Sequence, residues 1–162
     1  MTEDTIATLP RPALVSIRHA KREDLPDLIE MISLLAAHHG DASAMTADIL
    51  RRDLFGATPW ITGLVADGGE TLLGYALLVP MYRANEGRRG MDLHHLFVRD
   101  GHRGHGIGQH LVNRARDVAR QAGCSYLSVG AATGNFKAHR FYEQMDFTAR
   151  PVTGMRFLQA LA

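Results

Sequence analysis

Val98-Arg99-Asp100-Gly101-His102-Arg103-Gly104-His105-Gly106-Ile107-Gly108-Gln109-His110-Leu111 is the stretch on which the fold turns. An apolar run, Met91 to Val98, precedes it and reads as a strand. Ile107, Leu111, Ala115, Val118 and Ala119 follow at helical spacing and mark an amphipathic helix that Gly123 ends. Glycines at 104, 106 and 108 remove side chains where the backbone must come close to a ligand. The free N–H groups at the start of the helix point into the loop, and the helix dipole adds positive potential there. Arg103 contributes a fixed cation. Strand, glycine loop and helix together therefore predict a phosphate or pyrophosphate site.

Two other phosphate loops are excluded by the next residues. A Walker loop needs Gly-Lys-Ser/Thr, but Gln109-His110 follows Gly108. A dinucleotide fingerprint begun at Gly106 needs a third glycine at position 111, where Leu111 stands.

Outward from the loop, alternation in Val15–Ala20 predicts a first strand. Glu23 and Asp24 open a helix whose apolar face is Leu25, Leu28, Ile29, Ile32 and Leu35, with Gly40 as its stop. Thr46 caps a second helix through Leu54. Two strand-like runs, Trp60–Ala66 and Thr71–Pro80, flank the turn Asp67-Gly68-Gly69-Glu70, and Gly87–Gly90 forms another turn. Cys124–Val129 is a short strand and Lys137–Met145 a helix. Residues 146–148 and 154–161 read as two closing strands. The predicted order is β-α-α-β-β-β-α-β-α-β-β, an α/β (α+β) fold with a mixed sheet and helices on both faces.

The whole is 162 residues, 46% apolar and 22% charged, which suits one domain over residues 14–162. Residues 1–13, with Pro10 and Pro12, read as a flexible arm. Eighteen Lys and Arg against 17 Asp and Glu leave a net charge of +1, so bulk electrostatics give no reason for nucleic-acid binding. No apolar run reaches the roughly 18–20 residues of a membrane span, and the N-terminus lacks the pattern of a secretory signal. The single cysteine, Cys124, allows no internal disulfide, which suits the cytoplasm. It starts an apolar strand without an adjacent base and reads as buried and inert. Nine histidines raise the question of a metal. His94-His95 cannot both ligate one ion from a regular strand, and His102-x-x-His105 has no partner, so no metal is expected.

Arg103-x-x-Gly106-x-Gly108, between the fourth strand and third helix, resembles the pyrophosphate motif of the GNAT N-acetyltransferases. Asn135-x-x-Ala138-x-x-Phe141-Tyr142-Glu143-x-x-x-Phe147 resembles that family's second signature. Within the superfamily, Phe55-Gly-x-x-Pro59-Trp60, Gly74-Tyr75-Ala76 and Arg103-Gly-x-Gly-Ile-Gly108 resemble the diamine (spermidine/spermine) group. The resemblance implies an acyl-CoA N-acyltransferase fold and direct transfer of acetyl from acetyl-CoA to a primary amine of a small molecule. Such an acceptor is a diamine, a polyamine or an amino-acid-like amine. Acetylation of a protein or peptide, and an acyl-CoA-binding module without catalysis, are the alternatives. A homodimer is common in the family. Two departures are Asp146, where a glycine often stands, and Arg99-Asp100, where a proline commonly follows the strand.

The resemblance also implies roles. Arg103, Gly104, His105, Gly106, Ile107 and Gly108 would hold the pyrophosphate. Leu96, Phe97 and Val98 would pair with the pantetheine arm like an added strand, and Asn135 and Ala138 would line the other side of the cofactor. Tyr142 would be the general acid, since a phenol with pKa near 10 stays protonated at neutral pH. The diamine group carries Glu-Asp where this chain has His94-His95. Imidazole is mostly neutral at pH 7 and can accept a proton. Successive strand residues face opposite ways unless a bulge intervenes. Equal spacing back from Leu96 and Val98 selects His94 as base, with His95 or a water as the alternatives. Losing both carboxylates weakens the case for a polycation.

Overall fold

The computed structural model describes residues 14–161. The N-terminal arm expected over 1–13 lies outside the described residues. By contact density the chain divides into a larger unit that ends at Val129 and a smaller one that begins at Gly130.

The larger unit is a five-stranded sheet in the order β1-β2-β3-β4-β5. Strand β1 is Ser16–His19, β2 Thr62–Asp67, β3 Leu72–Arg83, β4 Arg88–Val98 and β5 Tyr126–Ser128. The first four pair antiparallel as successive neighbours. Strand β5 joins β4 in parallel, opposing Tyr126, Leu127 and Ser128 to Gly90, Met91 and Asp92. A parallel neighbour requires a crossover, and helix α3 (Ile107–Gln121) supplies it.

Helices α1 (Leu25–His38) and α2 (Ala47–Phe55) cover one face. Their Leu25, Leu28, Met31, Ile32, Leu50 and Leu54 form one core with Val65, Tyr75, Leu77 and Phe97 of the sheet. Strand alternation turns the neighbouring residues to α3, which packs along β2, β3 and β4. A Cβ placed on Gly74 would stand 3.5 Å from Leu111 of α3. Helices therefore lie on both faces, as the sequence pattern requires.

Local signals explain the boundaries. The Thr46 hydroxyl accepts from the Ile49 amide at 3.2 Å and starts α2. Gly40 and Gly123, at φ +78° and +76°, follow α1 and α3 in the left-handed conformation. Asp24 precedes α1. Its carboxylate takes two hydrogen bonds from Arg18 at 2.7 and 3.0 Å and one from the Lys21 amide at 2.7 Å. Arg18 reaches on to Asp67, so one guanidinium ties β1, β2 and the start of α1. Burial works to raise the Asp24 carboxyl, yet these bonds hold it below its ordinary value.

Three expectations are corrected. The turn before β4 is Ala84–Glu86 with left-handed Gly87, and Arg88–Gly90 already belong to the strand. The strands predicted over 146–148 and 154–161 do not form. Alternation supplies a face but not a partner, and no strand of the sheet pairs with these residues. The order among described residues is thus β-α-α-β-β-β-α-β-α. No helix of the described residues is long and apolar enough to cross a membrane.

Candidate active site

The glycine loop needs its glycines for their backbone angles. Gly101, Gly104 and Gly106 have φ of +83°, +79° and +83°, a region where a side chain is strained. Gly106 is the residue before α3 and offers no side-chain cap, and no acidic residue occupies the first turn. The leading N–H groups of α3 therefore have neither an internal acceptor nor a competing carboxylate. Ile107 is buried and anchors that turn.

Arg103 is held in place rather than left to wander. Its Nε donates to the Val98 carbonyl at 2.9 Å, its Nη1 lies 3.2 Å from Asp100, and its guanidinium sits over the Phe97 ring at 5.7 Å. His105 contacts the Arg103 carbonyl through Nδ1 at 2.9 Å. Arg99, where the family commonly has proline, clasps three elements. It donates to the Leu72 carbonyl at 2.7 Å and, as a two-pronged pair, to Glu30 of α1 at 3.0 and 3.2 Å.

Strand β4 changes character along its length. Leu77 of β3 opposes His95, but Leu78 opposes Leu93, so His94 is an extra residue and marks a bulge. Pairing with β5 stops at Asp92, just before it. From there to Val98 the β5-side edge of β4 has no strand partner among the described residues. Leu96, Phe97 and Val98 thus offer a free backbone edge for an extended ligand.

The bulge also re-aims the imidazoles. The rings of His94 and His95 stack at 4.8 Å and 6°. His94 therefore does not follow the facing of Leu96 and Val98 on which its selection as base rested, because the inserted residue breaks the alternation. His95 Nδ1 lies 3.0 Å from the Tyr75 hydroxyl. Tyr75 is fully buried, and burial pushes its phenol well above the ordinary value, so it stays protonated. A buried phenol needs an acceptor, and Nδ1 is the one at hand. The O–H donates to Nδ1 and leaves the His95 proton on Nε2. Burial, then the charges of His94 and His39, lower His95 to about 4. His95 is consequently a neutral donor at pH 7, whereas His94 is exposed.

The smaller unit carries the other predicted residues. Helix α4 is Phe136–Gln144. Asn135 caps it, its Oδ1 accepting from the Ala138 amide at 3.1 Å, so these two motif residues have a structural bond to each other. Tyr142 packs edge-on between Phe141 and Phe147, at 5.2 and 5.5 Å. Burial raises its phenol above the ordinary value. Asp146 follows the helix at φ +65°, a conformation that glycine adopts without strain, which accounts for the glycine often found there.

Several functional partners were missed at the level of sequence. Tyr75 entered only through the resemblance of Gly74-Tyr75-Ala76 to the diamine group. Arg99 was noticed only as a departure, and His39, whose charge bears on His95, was not tied to the site. No cluster of three or more His, Cys, Asp or Glu able to hold a metal occurs among the described residues.

An α/β protein of this class sets a loop of left-handed glycines and an uncapped helix beside a strand edge that has no strand partner among the described residues. Comparison with known proteins gives that class its family. The model of the acetyltransferase (GNAT) family matches residues 25–147. The thialysine N-epsilon-acetyltransferase of Bos taurus is 31% identical over 143 residues, covering 82% of this chain and 84% of that protein. The human spermidine/spermine N(1)-acetyltransferase-like protein 1 is 28% identical over 78% of this chain, though over only 19% of its own length. Among solved structures, an aminoglycoside acetyltransferase from an uncultured soil metagenomic sample has a TM-score of 0.75. It covers 90% of this chain and 96% of that one at 19% identity, which speaks for the fold alone. The chain belongs to the acetyltransferase (GNAT) family and is an acetyl-CoA-dependent N-acetyltransferase.

Proposed function

We propose that the chain moves the acetyl group of acetyl-CoA onto a primary amine of a small molecule by direct attack, with no covalent acyl-enzyme. The observation that carries this reading is the uncapped start of α3 beside left-handed Gly104 and Gly106, with a tethered Arg103 and no acid in the first turn. Arg103, Gly104, His105, Gly106, Ile107 and Gly108 hold the pyrophosphate. The free edge at Leu96, Phe97 and Val98 takes the pantetheine arm, and Asn135 and Ala138 line the cofactor's other side.

Tyr142 is the acid that protonates the departing thiolate. Its raised phenol keeps the proton until it is needed. His94 is the base. It is the exposed member of the stacked pair, while His95 is fixed by Tyr75 with its free nitrogen protonated and unable to accept. The acceptor is a small amine, by analogy with the thialysine and spermidine/spermine enzymes among its relatives. The imidazole pair offers no negative charge to a polycation, which favours an amino-acid-like amine over a polyamine. The protein acts as a homodimer in the cytoplasm.

A panel of free amines and peptides with acetyl-CoA, read by released thiol, tests this. Turnover on amino-acid-like amines is expected. Turnover on peptides alone moves the chain to protein acetylation, and calorimetric binding of CoA without turnover makes it a binding module. Tyr142→Phe is expected to lower kcat roughly 10²-fold or more with CoA affinity unchanged. An undiminished kcat removes Tyr142 from the chemistry.

A further inference from the structure

Strand alternation carries Leu77, Val79, Met81 and Arg83 of β3 to one face of the sheet. Leu77 lies in the core beneath α1 and α2. Further along, Met81 is 44% exposed and Arg83 is exposed. Opposite these four on β4 stand His95, Asp92, Gly90 and Arg88. The imidazole site and the β3–β4 turn are thus the two ends of one strip.

At the turn end, the Tyr126 ring lies across Gly90, where a Cβ would run into it. Arg83 and Arg88 stand over that ring, 4.5 and 5.2 Å from its centre. They share one carboxylate, Glu86, which is 3.4 Å from Arg83 and 2.8 Å from Arg88. Two cations against one anion leave a positive charge over. Arg88 is otherwise committed, since its Nε and Nη2 donate to Ser125. Arg83 has only the long Glu86 contact, so its Nε and Nη2 lack an acceptor among the described residues. The Tyr126 hydroxyl is buried and also has no hydrogen-bond partner among them. A buried donor of that kind calls for an acceptor.

At the other end, Asp92 takes a hydrogen bond from Ser128 at 2.8 Å on one oxygen and has no partner on the second among the described residues. Ser128 also reaches the Met81 sulfur at 3.3 Å, so Met81 is the apolar middle of the strip. A carboxylate oxygen left over two residues before His94 attracts an ammonium group and sets it beside the base.

We propose that this strip is the acceptor groove, and that it takes an amino acid whose reactive amine ends a side chain. The amine lies at Asp92 and His94, the carbon chain runs along Met81, and the carboxylate is held by Arg83 and the Tyr126 hydroxyl. Resting on the acetylation reading, this names the group that selects the acceptor. His95 and Gly90 face β3 residues four apart, about 13 Å at roughly 3.3 Å per residue. About 3 Å of hydrogen bond at each end leaves about 7 Å, the reach of a lysine-like side chain. A diamine in the same groove has its far ammonium repelled by the guanidiniums.

The test compares lysine with cadaverine, the same chain without the carboxylate. Released thiol from acetyl-CoA gives turnover, and calorimetry gives lysine binding to the CoA-saturated protein. Expected is a kcat/KM for lysine about tenfold or more above that for cadaverine. Arg83→Gln should cut that ratio about tenfold through the KM for lysine, Arg83→Lys should restore part of it, and Arg83→Glu should reverse the preference. A ratio near one in the unaltered protein, or equal losses on both amines in Arg83→Gln, overturns the groove and leaves acetyl transfer standing. Lysine that binds through Arg83 but is never acetylated keeps the carboxylate site and overturns the acetylation reading. Lysine that neither binds nor turns over overturns the groove, whatever other amines do.

Discussion

Strand β4 is two strands in one. From Arg88 to Asp92 it is finished, with β3 on one side, β5 close on the other, and Gly90 so tightly packed that a Cβ there would run into the Tyr126 ring. From His94 to Val98 it is left open on the β5 side, bulged, and followed by the glycine loop. One residue of slippage separates a half whose backbone only stabilises from a half whose backbone can accept a ligand. Unpaired backbone groups are a liability in a finished sheet and the binding surface in an unfinished one.

The contrast can be broken by substitution in each half. In the open half, His94→Ala is expected to lower kcat roughly 10²-fold with thermal stability unchanged. A loss of stability with full turnover would make His94 structural. In the closed half, Gly90→Ala forces Tyr126 aside and is expected to cost about 1–3 kcal/mol. Calorimetric melting should fall by several degrees while KM for acetyl-CoA stays put. A shifted KM would show that the closed half also shapes the cofactor site. At the loop, Gly106→Val sets a branched side chain in left-handed backbone, about 1–2 kcal/mol of strain, and should weaken CoA binding about tenfold by titration calorimetry. Full affinity would mean that the loop's angles do not matter to the ligand.

The smallest effect sharpens the division of labour between the histidines. His95 falls from 6.5 in the unfolded chain to about 4 when folded. Between those values the unfolded chain binds the proton and the folded one does not. The neutral ring's contribution is therefore complete above pH 6.5 and is lost as pH falls towards 4. His95→Gln should flatten that part of a denaturant-based stability profile. A profile identical to the unaltered protein's would show that His95 does not titrate as its burial requires.

The crossover from β4 through α3 to β5 was legible because it rests on backbone needs that few residue types can meet. Glycine at positive φ, an apolar stripe and a stop at Gly123 all point one way. The cap at Thr46 was visible for the same reason, whereas Asn135 was read only as a ligand group and its cap of α4 was not. The bulge was illegible, since a register shift depends on the neighbouring strand and leaves no mark in the pattern around His94. The Tyr75 bond followed it out of sight. The closing strands failed in the other direction. A strand is defined by a partner as well as by its pattern, and no strand of the sheet pairs with these residues.

Arg99 holds Leu72, Glu30 and its own loop in a single grip. The loop we propose to hold the diphosphate is thereby set when the chain folds, not when a ligand arrives. Less freedom is left to lose at the moment of encounter, so affinity can come from a few main-chain donors and one arginine rather than from a dense field of cations. That fits a protein whose net charge is only +1.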